Sequence, residues 1–249
     1  MYSSYGKLCT ALYDFTKPTG YSIDGDMEYY ESRLKNVKGK VLEAGVGSGR
    51  VLLPFLAKGM VIEGIDNSEE MLAACRDKAK ALHVTPTLYN ADLSDFSLGK
   101  TYEAVIVPSG TFCLIEDAKG ALQSFYNHLT VGGKVVIDLL LPIDFVQGEI
   151  TTDYFEMTPT TGISLESKSV EIDWVAQRTI TYLKYEQWQD GVLQEAELQK
   201  FTLYWYGVRE FMYMLEEVGF TDITVSTDYT FGKQPTATSS LLTFEAIKK

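Results

Sequence analysis

Between residues 40 and 142 the chain alternates short apolar runs with longer stretches in which apolar side chains return every third or fourth position. Runs that are apolar throughout suit strands covered on both faces, and the three-to-four period suits the helices that cover them. Five strands are predicted: "KVLEAG" (40 to 45), "VIEGID" (61 to 66), "PTLYNAD" (86 to 92), "YEAVIVP" (102 to 108) and "GKVVIDLLL" (133 to 141), the last behind a "VGG" turn. The segment "SEEMLAACRDKAKALH" puts Met71, Leu72, Cys75, Ala79 and Leu82 on one helical stripe. It opens on Ser68 as N-cap, with acids in its first turn and bases later. Strands and helices in this order predict an α/β fold, an open Rossmann-like sheet with helices on both faces.

From residue 143 to 207 the pattern changes to period two, as in "SVEIDW" and "TITYLKYEQW", which predicts a small antiparallel insertion. Asp190-Gly191 is placed to make a hairpin turn inside it. After the helix "REFMYMLEEVGF", the segments "TDITVST" and "LLTFEAIKK" predict a closing hairpin of the main sheet. Residues 1 to 39, partly helical in "YGKLCTALYDF", read as an N-terminal cap. No Pro-, Gly- or Ser-rich linker separates these parts. A single domain over 1 to 249 is therefore expected, with a core of 40 to 142 and 208 to 249 and an insertion of 143 to 207.

Charge narrows the partners. With 22 basic against 34 acidic residues the formal charge is −12, so a nucleic acid would meet net repulsion. The start "MYSSYGKLCT" lacks a basic region followed by an apolar stretch, and there is no apolar run long enough to span a bilayer. A cytoplasmic protein with no membrane partner is expected, and a homodimer is left open. Cys9, Cys75 and Cys113 are too widely spaced for a disulfide framework or a zinc site and read as buried thiols. No metal site is expected.

The candidate chemistry begins at "VLEAGVGSGR" (41 to 50), where Gly45, Gly47 and Gly49 follow a strand and open a helix. Such a turn lets a ligand approach the main chain. The spacing is G-x-G-x-G, with Arg50 where a dinucleotide fingerprint has its third small residue, and no Lys-Ser or Lys-Thr follows as in a P-loop. Glu43, at the carboxyl end of the first strand, would repel a phosphate and welcome a cationic amine. Asp66 ends the second strand 21 residues after Gly45, where a carboxylate accepts from ribose hydroxyls. Asp92 closes the third, placed to accept from an exocyclic amine such as that of adenine. An adenosine bearing an amino acid fits all three. Each acid also has a plainer reading: Glu43 as a strand-end charge with a basic partner, Asp66 and Asp92 as turn or cap carboxylates.

Over about residues 40 to 142 the successive motifs "LEAGVGSG", "GIDNS", "NADLSDF" and "YEAVIVPSG" with "LTVGGKVVIDL" resemble those of class I S-adenosylmethionine-dependent methyltransferases of the small-molecule type. The resemblance implies that S-adenosylmethionine is the cofactor and that Glu43 binds its amino group directly or through water. It implies that Gly45 to Gly49 pass beneath methionine and ribose, that Asp66, with Asn67 beside it, holds the ribose, and that Met71 packs near the adenine. Asp92 would take the adenine amine, with Leu93 next to it and Pro108 at the end of the fourth strand. Two departures stand out: Glu103 replaces the family's common Asp, and Pro54 falls inside the first core helix, where a kink is expected.

A sulfonium is already an activated leaving group, so alignment supplies much of the catalysis and a strong base is optional. The sequence offers no clustered His and Asp, and His83 and His128 read as structural. No catalytic residue is assigned, and an amine acceptor is favoured over a hydroxyl. "PSGTF" lacks the Asn- or Asp-Pro-Pro-aromatic motif of enzymes acting on planar adenine or glutamine amines, and Cys113 lacks the preceding proline of cytosine-C5 enzymes. Ser109, Thr111, Tyr13 and Tyr206 are the candidates for substrate contact. The insertion, with eleven aromatic side chains, is expected to be a lid that lines the acceptor pocket. A noncatalytic cofactor-binding protein and a peptide or protein methyltransferase are the alternatives.

Overall fold

A computed structural model describes residues 5–249 and divides the chain into two compact units. The larger comprises residues 19–143 and 205–249; the smaller, residues 5–18 and 144–204.

The larger unit holds a seven-stranded sheet. In chain order its elements are α2 (Asp26–Leu34), β1 (Val41–Ala44), α3 (Leu52–Ala57), β2 (Ile62–Asp66), α4 (Glu69–Ala81), β3 (Thr87–Asn90), β4 (Tyr102–Val107), α5 (Ala118–His128), β5 (Leu129–Leu140), α6 (Val208–Val218), β10 (Phe220–Thr227) and β11 (Leu241–Lys248). A 3-10 turn, Thr111–Leu114, follows β4. The strands lie in the order β3-β2-β1-β4-β5-β11-β10; β3 to β5 pair in parallel, while β11 runs antiparallel to β5 and β10 antiparallel to β11. All four residues of β1 are buried and β4 is buried at all but one, as runs without polar alternation require. Chain order reverses between β1 and β4, so the loops leaving these two strands flank the crevice where ligands of open α/β sheets sit.

Local chemistry explains most boundaries. Ser68 caps α4 as predicted, its hydroxyl accepting from the Met71 N–H at 3.2 Å, with Glu69 and Glu70 in the first turn and Lys78 and Lys80 in the last. Met71, Leu72, Cys75 and Ala79 are buried, but Leu82 is exposed because it falls at the C-cap, past the stripe. Pro54 stands in the first turn of α3: Leu53 donates to the Gly49 carbonyl at 3.1 Å and Phe55 to the Val51 carbonyl at 3.5 Å, and between these two bonds the proline has no N–H to give. The Arg50 carbonyl that a residue-54 N–H would have met accepts from Gly20 instead, at 2.9 Å. The expected "VGG" turn is a bulge inside a longer β5: Tyr102 pairs with Leu129 and Ala104 with Lys134, and Gly132 takes φ +78° within the extra residues.

The smaller unit is a meander of β6 (Ile150–Thr158), β7 (Thr161–Asp173), β8 (Arg178–Gln189) and β9 (Val192–Tyr204), each antiparallel to the next. Asp190 and Gly191 form the predicted two-residue turn, with φ 51° and 76° inside the Gln189–Val192 pair, as a type I′ hairpin demands. Helix α1 (Lys7–Thr16) belongs to this unit: Leu8, Cys9 and Leu12 are buried with Ile163 and Tyr185. The N-terminal segment read as one cap is thus split, α1 going with the antiparallel sheet and α2 with the parallel one. Trp205 and Tyr206, counted with the insertion from sequence, belong to the larger unit. Among the described residues no helix is long and apolar enough to cross a membrane.

Candidate functional site

The loop after β1 is folded onto β2. Gly45 and Val46 both donate N–H groups to the Ile65 carbonyl, at 2.8 and 3.0 Å, and Gly47 donates to Asp66 Oδ2 at 2.8 Å. Gly45, Gly47 and Gly49 have φ of 75°, 51° and 83°, a region in which side chains are strained. Their surroundings separate them. A Cβ on Gly49 would stand 2.6 Å from Cys75 Sγ, and one on Gly45 would stand 2.1 Å from Thr111 Cγ2. A Cβ on Gly47 would meet only Met71 Sδ, at 3.9 Å. Two of the three glycines therefore make room for the protein itself, and Gly47 alone leaves its face open.

Glu43 lies at the end of β1 beneath this loop, 3% exposed, and its Oε2 has no hydrogen-bond partner. Burial pushes its carboxyl up to about 8; the Arg50 charge opposes this, and Asp66 and Asp26 add to it. A buried carboxylate oxygen left unpaired is costly, so the site calls for a donor, best a cationic one. Asp66 Oδ1 accepts from the Ser68 N–H at 2.9 Å, opposite the Gly47 bond on Oδ2. Burial raises its carboxyl despite the N–H groups of Ser68, Gly47 and Asn67. Asp92 is exposed and takes its two bonds on Oδ1, from the Ser94 N–H at 2.8 Å and hydroxyl at 2.7 Å, which hold it below the usual range. Asp66 and Asp92 thus do shape their turns, and each still has acceptor capacity to spare. Met71, Leu93 and Pro108 are buried, and Asn67 is exposed.

The loop after β4 faces these residues across the switch point. Ser109 has φ 57°, its N–H donates to Asp138 Oδ2 at 2.8 Å, and its hydroxyl accepts from Arg50 Nη2 at 2.7 Å. The hydroxyl predicted to face substrate is therefore engaged within the protein. Thr111 is half-buried with its methyl against Gly45, and Tyr206 packs on Phe112 and Phe211 with ring centroids 6.0 and 5.7 Å apart. Tyr13 lies on α1 in the smaller unit, where Lys17 Nζ stands 5.0 Å from its ring centroid. His128 is structural: Nδ1 meets the Ser124 carbonyl at 2.7 Å, Nε2 accepts from Leu98 N–H at 3.0 Å, and the ring stacks on Phe96. All three cysteines are buried and none is in a disulfide, and burial pushes the Cys113 thiol up to about 12. Among the described residues no cluster of His, Cys, Asp and Glu could hold a metal.

Sequence reasoning missed a buried polar group beside this loop. Arg50 Nη2 pairs with Asp26 Oδ2 at 2.5 Å, both side chains almost wholly buried, and Nη1 donates to the Tyr21 carbonyl at 2.7 Å. Asp138, fully buried in β5, also accepts from the Tyr229 hydroxyl at 2.9 Å and the Thr243 hydroxyl at 2.8 Å; burial raises its carboxyl to about 6. One signal was present: Asp138 is the single acid inside the apolar run "GKVVIDLLL".

The strand order, the glycine loop after the first strand, the acid ending the second and the reversed last hairpin are those of the class I S-adenosylmethionine-dependent methyltransferase fold, which the chain shares. Residues 41–133 match the family described as "Methyltransferase domain". The chain is 24% identical over 185 residues to a malonyl-[acyl-carrier protein] O-methyltransferase of Bacillus anthracis, covering 74% of this chain and 65% of that one. It is 30% identical over 117 residues to a dTDP-3-amino-3,4,6-trideoxy-alpha-D-glucopyranose N,N-dimethyltransferase of Streptomyces venezuelae, covering 45% and 48%. The chain thus spans from about half to just under two thirds of the length of these curated relatives. In fold it is similar to the sugar N-methyltransferase KedS8 from Streptoalloteichus (TM-score 0.77, 21% identity, 100% and 96% of the two chains). It is likewise similar to an S-adenosylmethionine-dependent methyltransferase from Clostridium acetobutylicum (TM-score 0.75, 16% identity, 96% of each chain).

Proposed function

We propose that the chain transfers a methyl group from S-adenosylmethionine to a small organic acceptor, with an amine favoured over a hydroxyl. The observation that carries this reading is the buried, partnerless Oε2 of Glu43 beneath a loop with one open glycine face. Glu43 receives the amino group of the methionine moiety directly or through water, and the loop from Gly45 to Gly49 runs beneath methionine and ribose. Asp66 and Asn67 hold the ribose hydroxyls. Met71 packs near the adenine, Asp92 with Leu93 takes its amine, and Pro108 bounds the pocket at the end of β4. Bound S-adenosylmethionine supplies a methyl on an already activated leaving group. The protein's task is then to align the acceptor and exclude water, which needs no strong base when the acceptor is a neutral amine.

An amine acceptor is supported by the amino-sugar and sugar N-methyltransferases among the similar proteins. A net charge of −12 favours a small molecule over a polyanion, and a cytoplasmic setting belongs to the same reading. The test is a panel of small acceptors, amino sugars and other primary and secondary amines beside hydroxyl and carboxylate compounds, scored by release of S-adenosylhomocysteine. Turnover concentrated among amines supports the proposal. Turnover confined to hydroxyl or carboxylate compounds refutes the amine preference, and tight cofactor binding with no turnover of any acceptor class favours a binding protein.

A further inference from the structure

We infer that Ser109 is a positioning residue, through which the buried Asp26–Arg50 pair and Asp138 hold the turn after β4 in register with the cofactor loop after β1. The inference rests on the cofactor reading above and concerns residues outside the set that would touch the cofactor.

Serine at φ 57° is in the left-handed region, which a non-glycine residue keeps only where its surroundings hold it. Here both ends are held: Asp138 Oδ2 takes the Ser109 N–H at 2.8 Å, and Arg50 Nη2 donates to the hydroxyl at 2.7 Å. Arg50 is in turn fixed by Asp26 and the Tyr21 carbonyl, and Asp138 by Thr243 and Tyr229. The left-handed residue, followed by Gly110 at φ 73°, reverses the chain so that Thr111 bonds back to the Pro108 carbonyl at 3.1 Å. That reversal delivers the Thr111 methyl to the space a Gly45 side chain would fill. Gly45 itself hangs from Ile65, one residue before Asp66. A continuous path of contacts therefore runs from Ser109 through Thr111 and Gly45 to the loop that Asp66 and Glu43 flank. A buried charge pair contributes little net stability, but it can fix one geometry among several, which is what such a register requires.

The test uses the full chain and S-adenosylhomocysteine as probe. Ser109→Gly removes the hydroxyl while accepting the backbone angle, so loss of fold is not expected. It should weaken binding about tenfold and speed amide exchange of Gly110 to Leu114, with the melting temperature of the free protein little changed. Ser109→Asn, whose side chain tolerates the same angle and offers Arg50 an acceptor, should restore most of the affinity. Thr111→Ser, which removes the methyl against Gly45, should weaken binding and add little to the effect of Ser109→Gly, because both act on one path. Asp66→Ala is the control. If it leaves binding unchanged, the cofactor reading itself fails. If it weakens binding while Ser109→Gly changes neither affinity nor exchange, or changes exchange alone, the positioning role is overturned. Fully additive losses in the double variant overturn it as well.

Discussion

Glu43→Gln offers a sharp perturbation because it keeps the shape of the side chain and removes one charge. In the free protein the Glu43 carboxyl is pushed by burial to about 8, close to the ordinary range of an α-amino group. The ionic pair forms from an ionised Glu43 and a protonated amine. The fraction of protein and ligand in those states is largest near pH 8. It falls about eightfold by pH 6.5, equivalent to about 1.3 kcal/mol, because most Glu43 is then protonated and must lose its proton on binding. Asp138, raised to about 6, is still mostly ionised at pH 6.5, so the slope is read between pH 6.5 and 8. The variant has no acid to ionise, and its affinity should stay within about twofold over the same range. At pH 8 it should bind more weakly than wild type by about 1.5 to 3 kcal/mol, the value of a hydrogen bond to a charged group, and the gap should narrow toward pH 6.5. Calorimetry with S-adenosylhomocysteine in buffers of different ionisation enthalpy measures both quantities, affinity and protons released. Wild-type affinity independent of pH with no proton release, or equal affinities of the two proteins at pH 8, would refute the assignment of Glu43.

Asp66→Ala should weaken binding of the same ligand by about 1.5 to 3 kcal/mol while the free protein melts as a cooperative unit; collapse of the free protein with unchanged affinity in what survives would make Asp66 structural. Glu43→Gln should stabilise the ligand-free protein, and more at pH 9 than at pH 5. The carboxyl ionises near its ordinary 4.5 when unfolded and near 8 when folded, so its burial costs stability progressively as pH rises between those values; an equal or reversed effect at the two pH values, read by denaturant titration, would contradict this. Gly45→Ala should lower stability by more than about 1 kcal/mol, since it adds both a left-handed alanine and a clash with the Thr111 methyl. Thr111→Ser in that background should recover part of the loss; no recovery would show that the backbone angle alone matters. Replacing the Asp190-Gly191 hairpin by a short linker should spare cofactor affinity and abolish turnover, and unimpaired turnover would remove the insertion from acceptor recognition.

What could be read from sequence was local or repeated. β1 and β4 announce themselves because burial on both faces leaves no polar alternation, the α4 cap because Ser68 precedes two acids, and the β8–β9 turn because Asp-Gly favours positive φ. The acids Glu43, Asp66 and Asp92 are legible for the same reason: each stands at or just past the carboxyl end of a short strand. What stayed hidden depends on contacts between distant segments. α1 reads as part of a cap until Leu8, Cys9 and Leu12 are seen against Ile163 and Tyr185. Gly45 reads as a ligand glycine, although the atom that would collide with its side chain is Thr111 Cγ2. Ser109 reads as a free hydroxyl because neither Arg50 nor Asp138, its two partners, is near it in sequence.

On the proposed function, the crevice beside β1 and β4 accepts an adenosine carrying a cationic amino acid. Calorimetric titration of the free protein with S-adenosylmethionine, S-adenosylhomocysteine and NAD tests it most directly. Saturable one-to-one binding of both sulfur compounds is expected, with no measurable binding of NAD, whose pyrophosphate would meet Glu43. Binding of NAD at comparable strength, with no heat from S-adenosylmethionine, would contradict it.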